Sequence, residues 1–269
     1  MSHTRVDHLP LSAEQLSALE AIARDAGQAI MSVYHGAEHS GEVNVMLKAD
    51  ASPVTAADLA SHQLICERLA GEFAGIPVMS EEAADIPYAI RQTWSRYWLI
   101  DPLDGTKEFI KRNGEFTVNI ALIDQGRAVA GVVYAPVLDK CYIGQRGMGA
   151  WLTHQGCQQQ LPMSRDKRIL PVVVGSRSHP SAELAGYLDK LGEHQMLSIG
   201  SSLKFCLLAE GLADLYPRLG PTSEWDTAAA QAVLESAGGR VLEYETGKPL
   251  TYNRGDSIIN PWFVASAPG

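Results

Sequence analysis

The chain has 269 residues, of which 46% are hydrophobic, and a mean hydropathy of −0.06, enough apolar material for one large domain or two closely packed halves. Its formal net charge of −9 and pI near 5.4 exclude a surface built to grip a nucleic acid polymer, though a few local cations and a metal can still hold a nucleotide-sized anion. There is no run of about 18 apolar residues, so no spanning helix is expected, and the first eight residues lack the charged start and apolar core of a signal peptide.

Ser12 with Gln15 forms a capping-box pattern, and Leu16, Leu19, Ile22, Ala23, Ala26, Ile30 and Val33 follow at helical spacing. This predicts an amphipathic helix of roughly twenty residues, then a polar loop over 35–42 and a short strand over 43–47. The stretch 48–58 is rich in turn formers. Thr55 with Asp58 reads as the capping box of a second helix, with Leu59, Ile65, Leu69 and Phe73 on its apolar side. The short apolar run 76–79 ends in Ser80, Glu81 and Glu82, and a helix is expected over 88–96.

The apolar run Tyr97, Trp98, Leu99, Ile100 leads into Asp101, Pro102, Leu103, Asp104, Gly105 and Thr106. Proline cannot continue a ladder and glycine permits a sharp turn, so a buried strand should end at Asp101. Two carboxylates three positions apart repel each other unless a cation neutralises them, and hard oxygen ligands suit Mg2+. An Asp-rich turn that merely caps a strand fits the same residues.

From Glu115 to Leu161 the texture is sheet scaffold: runs at 116–123 and 128–134 flank an Asp-x-Gly turn, and 141–143 and 150–153 extend the hairpin. After Pro162 strands (171–174, 196–199, 213–216, 240–243, 262–265) alternate with helices (182–191, 203–209, 227–237). That pattern predicts layered α/β packing, with a soft boundary near 162. Glu224 and Asp226 precede the last helix, where a carboxylate serves as N-cap or metal ligand equally well. The cysteines 66, 141, 157 and 206 show no C-x-x-C spacing and read as small buried hydrophobes of a reducing compartment, with the cytoplasm as the default.

Glu81, Asp101, Asp104 and Asp226 all fall at predicted strand ends or helix starts, where loops converge on a pocket. With the Leu103 carbonyl they could hold two Mg2+ ions at the spacing of two-metal phosphoryl-transfer sites, roughly 3.5 to 4 Å. The element 101–106, the Ser80-Glu81-Glu82 element upstream and Trp225-Asp226-Thr227-Ala228-Ala229 downstream resemble the signature of the lithium-sensitive inositol monophosphatase superfamily. Segments 200–206 and 216–226 resemble the 3'(2'),5'-bisphosphate nucleotidases, whose bacterial members are associated with sulfate assimilation.

The resemblance implies a layered αβαβα sandwich, with an α+β half (1–162) and an α/β half (163–269) packed as one unit. It implies Mg2+, two or three ions, at Glu81, Asp101, Leu103, Asp104 and Asp226. Thr106 and Asp58 would activate the attacking water alongside Glu81, and the Gly105 and Thr106 N–H groups would hold phosphate. It further implies a substrate pocket that draws on Leu103, Asp104, Asp226, Ser201, Ser202, Lys204 and Arg218, with the loop at His179 nearby. Inositol phosphatases carry glutamate where Arg218 stands, and an arginine suits a second phosphate.

The expected reaction is hydrolysis of the 3'-phosphate of adenosine 3',5'-bisphosphate to AMP, with a related activity on the 5'-phosphosulfate and inhibition by Li+. The nucleotidases also imply cytoplasmic residence and peripheral attachment to the inner membrane, which no pattern here marks. Rival readings are an inositol- or sugar-phosphate phosphatase of the same fold and a non-catalytic nucleotide or metal sensor. Oligomeric state has no signature in the sequence.

Overall fold

The structure, a computed structural model, describes residues 10–40, 45–47, 53–163, 168–175 and 182–269. The turn-rich stretch 48–52 and the loop at His179 lie outside the described residues.

Helix α1 (Ala13–Ser40) starts as expected: the Ser12 N–H donates to Gln15 Oε1 and the Gln15 N–H to Ser12 Oγ, at 2.9 and 3.2 Å. It runs 28 residues, well past the predicted loop start at 35. The buried ring of Tyr34, 5.1 Å from that of Phe109 and 5.3 Å from that of Phe116, anchors the last turns although their own sequence is polar. Strands β1 (Val45–Leu47) and β2 (Pro53–Thr55) pair as an antiparallel hairpin whose second strand was not anticipated. Helix α2 (Ala56–Glu72) carries the predicted Thr55–Asp58 capping box. It buries Ile65 and Leu69, followed by Phe73 just beyond its end, but Leu59 points outward at 43% exposure.

Strand β3 (Val78–Ser80) leads into a 3-10 turn (Glu81–Ala83) and the single-turn helix α3 (Tyr88–Arg91), shorter than the predicted 88–96. Strand β4 (Arg96–Asp104) then passes straight through Pro102. The expected break becomes an irregularity of register against the next strand, located between Asp101 and Asp104; a bulge is where a sheet tolerates proline. After helix α4 (Thr106–Ile110) come the antiparallel strands β5 (Thr117–Asp124), β6 (Arg127–Ala135), β7 (Lys140–Gln145), β8 (Gly149–His154) and β9 (Cys157–Leu161). Together β3 to β9 make a seven-stranded sheet in sequence order, with only β3 and β4 parallel.

The second sheet has the order β11-β10-β12-β14-β13, from β10 (Val172–Gly175), β11 (Gln195–Ser198), β12 (Leu215–Arg218), β13 (Arg240–Glu243) and β14 (Phe263–Ser266). Helices α5 (Ala182–Leu191), α6 (Leu203–Glu210) and α7 (Trp225–Ser236) accompany it. The order of layers is α1 and α2, first sheet, α6 and α7, second sheet. Strand alternation makes the first sheet two-faced: Trp98, Ile100, Val118, Ile120 and Leu122 enter the core under α1 and α2, whereas Tyr97, Leu99, Ala121 and Ile123 enter the core shared with α6 and α7.

Glycine lets α7 lie directly on this sheet, since a Cβ on Gly131 would meet the Ala229 carbonyl oxygen at 2.5 Å and one on Gly144 the Val233 Cα at 2.7 Å. Of the four free cysteines, Cys141 and Cys206 are buried as expected, but Cys157 is exposed and Cys66 half-buried. Among the described residues no helix is long and apolar enough to cross a membrane.

Candidate metal centre and substrate cleft

Alternation in β4 places Asp101 on the same face as Tyr97 and Leu99, toward α7. The Leu103 N–H donates to Asp101 Oδ1 at 3.1 Å, and Ser61 Oγ of α2 donates to the Pro102 carbonyl at 2.7 Å, so the irregular stretch is pinned. Glu81 arrives from the end of parallel β3, and Asp226 from the first turn of α7, where its Oδ2 accepts the Ser223 N–H at 2.9 Å. The three carboxylates each present an oxygen within 4.8 Å of the others.

Electrostatics favour a cation here. Burial raises the Asp101 pKa well above its ordinary value, and the charges of Glu81, Asp104 and Asp226 raise it further. Asp226 is pushed up to about 8, by burial first and by Asp104 second. A set of repelling oxygen donors, Asp101 buried and Glu81 and Asp226 half-buried, is stabilised as anions by a hard divalent ion, and the donor set fits Mg2+ chemistry. Asp104 sits beside this trio rather than in it. Its Oδ2 accepts the Ser202 N–H at 2.7 Å and Asn119 Nδ2 at 3.3 Å.

The neighbouring pair, Thr106 and Asp58, is also formed. Thr106 Oγ1 donates to Asp58 Oδ1 at 3.1 Å, while Asp58 Oδ2 accepts both the N–H and the hydroxyl of Thr55, at 2.8 and 2.6 Å. Burial raises the Asp58 pKa against these bonds. Gly105 supports the turn at φ 96°, where a Cβ would stand 2.2 Å from Ser201 Oγ.

A cleft of about 680 Å³, counting its open mouth, is lined by Asp104, Gly105, Ser201, Lys204, Arg218 and Asp226. Arg218 Nη2 donates to the Pro221 carbonyl at 2.6 Å and Lys204 Nζ to that of Ser201 at 2.7 Å, so backbone oxygens hold both cations in place. Burial lowers the Lys204 pKa and the Asp104 charge opposes that shift. The two serines are more committed than expected: Ser201 Oγ donates to backbone carbonyls of Asp104 or Glu115, and Ser202 Oγ to that of Asp226.

The structure adds residues that the sequence reading passed over. Glu108, Glu115 and Thr222 line the cleft, and Thr117 and Asn119 reach Asp104 from a strand taken as mere scaffold. The signal was present in the polar pair at 117 and 119, spaced to share one face of an otherwise apolar run. His62 Nδ1 lies 2.8 Å from Ser80 Oγ, beside the turn that presents Glu81.

This architecture is that of the inositol monophosphatase family, and the chain belongs to it: the family's model matches residues 12–267. Phosphatases of this family depend on metal ions, which agrees with the acidic trio. Within the family the chain is 57% identical over 246 residues to the 3'(2'),5'-bisphosphate nucleotidase CysQ of Escherichia coli O157:H7, covering 91% of this chain and 96% of that protein. The CysQ of Salmonella typhimurium is 57% identical over 243 residues, 90% of this chain and 95% of the relative. The crystal structure of CysQ from Bacteroides thetaiotaomicron matches with a TM-score of 0.82 at 39% identity, covering 95% and 98% of the two chains.

Proposed function

We propose that this chain is a Mg2+-dependent 3'(2'),5'-bisphosphate nucleotidase that hydrolyses the 3'-phosphate of adenosine 3',5'-bisphosphate to AMP and phosphate, serving sulfate assimilation. The observation that carries the reading is the cleft itself, whose lining combines the Asp104 and Asp226 carboxylates with the Lys204 and Arg218 cations. A substrate with two phosphates answers both the metal-holding carboxylates and the cations, whereas an inositol monophosphate leaves the guanidinium without an anion. The 5'-phosphosulfate of adenosine 3'-phosphate fits the same description and is proposed as a second substrate.

Glu81, Asp101, Asp104, Asp226 and the Leu103 carbonyl would hold the ions. Bound Mg2+ supplies charge neutralisation, a lowered pKa for water and stabilisation of the leaving oxygen. Thr106 Oγ1 takes a proton from the attacking water as it passes its own to Asp58 Oδ1. The Thr55 bonds to Oδ2 leave Oδ1 as the oxygen aimed at Thr106. The Gly105 and Thr106 N–H groups orient the 3'-phosphate, and Arg218 and Lys204 fix the distal anion. The P–O3' bond breaks, and the ribose oxygen leaves as a hydroxyl after protonation from solvent.

The test is phosphate release from adenosine 3',5'-bisphosphate and from inositol 1-phosphate, side by side, with Mg2+ and with added Li+. Preference for the nucleotide, lost without Mg2+ and suppressed by Li+, is expected. Preference for inositol phosphate would keep the metal centre and overturn the assignment of the cleft.

A further inference from the structure

A chain of hydrogen bonds crosses between the two halves at the floor of the site, and its donors and acceptors can be assigned without ambiguity. Thr117 Oγ1 lies 3.0 Å from Asn119 Oδ1 and at a marginal 3.5 Å from Asp104 Oδ2, so its single proton goes to the amide oxygen. The flip of the Asn119 amide is fixed on its other side, where the Asp104 carboxylate can only accept: Nδ2 faces Asp104 Oδ2 at 3.3 Å and Ser202 Oγ at 2.9 Å, one N–H for each. Ser202 Oγ, having accepted from Asn119, donates to the Asp226 carbonyl at 2.8 Å, and the Ser202 N–H returns to Asp104 Oδ2 at 2.7 Å. Thr117, Asn119 and Ser202 are all buried, at 2% exposure or less.

We infer that Asn119 is a positioning residue that holds Asp104 of β4 in register with Asp226 of α7, and through that register sets the affinity of the centre for its ions. The inference rests on the metal-dependent reading above. The carboxamide does what neither a carboxylate nor an apolar residue can do at this position: it accepts from Thr117 on one side and gives two donors to the metal-facing side. A carboxylate would add a fifth negative charge to a site that already gathers Glu81, Asp101, Asp104 and Asp226, and an alanine would leave Asp104 and Ser202 short of a buried donor. Outer partners of metal ligands are worth about 10- to 100-fold in affinity when removed.

The experiment measures Mn2+ binding to the metal-stripped full chain by electron paramagnetic resonance, alongside Mg2+ activation curves and KM for adenosine 3',5'-bisphosphate at saturating Mg2+. Asn119→Ala is expected to weaken Mn2+ binding by about 10- to 100-fold and to shift half-activation by Mg2+ equally, with KM nearly unchanged. Thr117→Val keeps the shape but removes the donor that steadies the Asn119 amide oxygen, so it should produce the same shift in smaller measure, and Thr117→Ser should restore it. This second pair decides the matter if Asn119→Ala does not fold. Wild-type Mn2+ affinity in Asn119→Ala or Thr117→Val, with only the melting temperature lowered, would overturn the positioning role and leave the proposed function standing. A wild-type chain that binds no Mn2+ and releases no phosphate would overturn that function, and the positioning role with it.

Discussion

The two sheets differ in how completely they are enclosed. The first is covered on both faces along its central strands, so that in β5 every residue from Thr117 to Ile123 is buried, although its far edge β9 lies open. In the second, the edge strand β11 is exposed along its length and α5 buries none of its residues. Chain order would give Asp226 to the second unit. Packing gives it to the first, because α7 rests on the backbones of β6 and β7 where Gly131 and Gly144 leave room. All three members of the carboxylate trio are therefore mounted on the enclosed sheet, while Arg218 stands at the end of β12 in the more open one. Groups that must keep their geometry against mutual repulsion need the rigid support. The group proposed to recognise the distal end of a substrate does not, which would let one metal centre serve several substrates in a fold family.

Two substitutions separate these sides. Asp101→Asn removes a buried carboxylate from the trio and should lower kcat by about 10³-fold toward any phosphate ester, as measured by phosphate release at saturating Mg2+. Turnover at the wild-type rate would remove the catalytic assignment of the cluster. Arg218→Glu should leave the metal centre intact and cost about 10²-fold in kcat/KM for adenosine 3',5'-bisphosphate, while inositol 1-phosphate becomes the better substrate. An equal loss on both substrates would mean that Arg218 supports the site rather than reads the second phosphate.

A third substitution tests the claim that α7 belongs with the first sheet. Gly131→Ala drives a methyl group against the Ala229 carbonyl and should destabilise by about 2 kcal/mol, a drop of several degrees in the melting temperature. Because the displaced helix carries Asp226, Mg2+ activation should weaken as well. A lowered melting point with unchanged Mg2+ dependence would show that the helix can shift without moving its carboxylate.

Local chemistry explains which parts of this arrangement could be read in the sequence. The Thr55–Asp58 capping box and the hairpin turn at Gln125 and Gly126, both at positive φ, are decided by neighbours within four residues, and both stand as the pattern implied. Strand β4 could not be read, because the rule that proline ends a strand gives way when β5 supplies the ladder on either side of a bulge. The helical tail of α1 beyond residue 35 depends on Tyr34 meeting rings from positions 109 and 116. Asn119 looked like the middle of a scaffold strand, since its partner Ser202 lies 83 positions away. Glu81, Asp104 and Asp226 were legible because each sits at or beside an element's end, and Asp101 because it stands at the proline that marks the irregularity in β4; the residues that orient them were not, because their roles exist only once the halves have met.

The remaining effect expected is one of pH on the metal-free protein, and its sign follows from the trio. In the unfolded chain Asp226 titrates at its ordinary 3.8, and in the native, metal-free fold at about 8. Between those values the native state binds more protons than the unfolded state, so stability falls as pH rises through the window. Asp101, Asp104 and Asp58, also raised by burial, contribute with the same sign. Calorimetry on metal-stripped protein should show the melting temperature declining from pH 6 to pH 8, and excess Mg2+ should raise it more at pH 8 than at pH 6 because the ion binds the ionised carboxylates. A metal-free melting temperature that failed to decline over this range would mean that the three carboxylates are already neutralised within the protein. The rigid support of the first sheet would then be holding a charge network complete in itself rather than a centre that needs an ion.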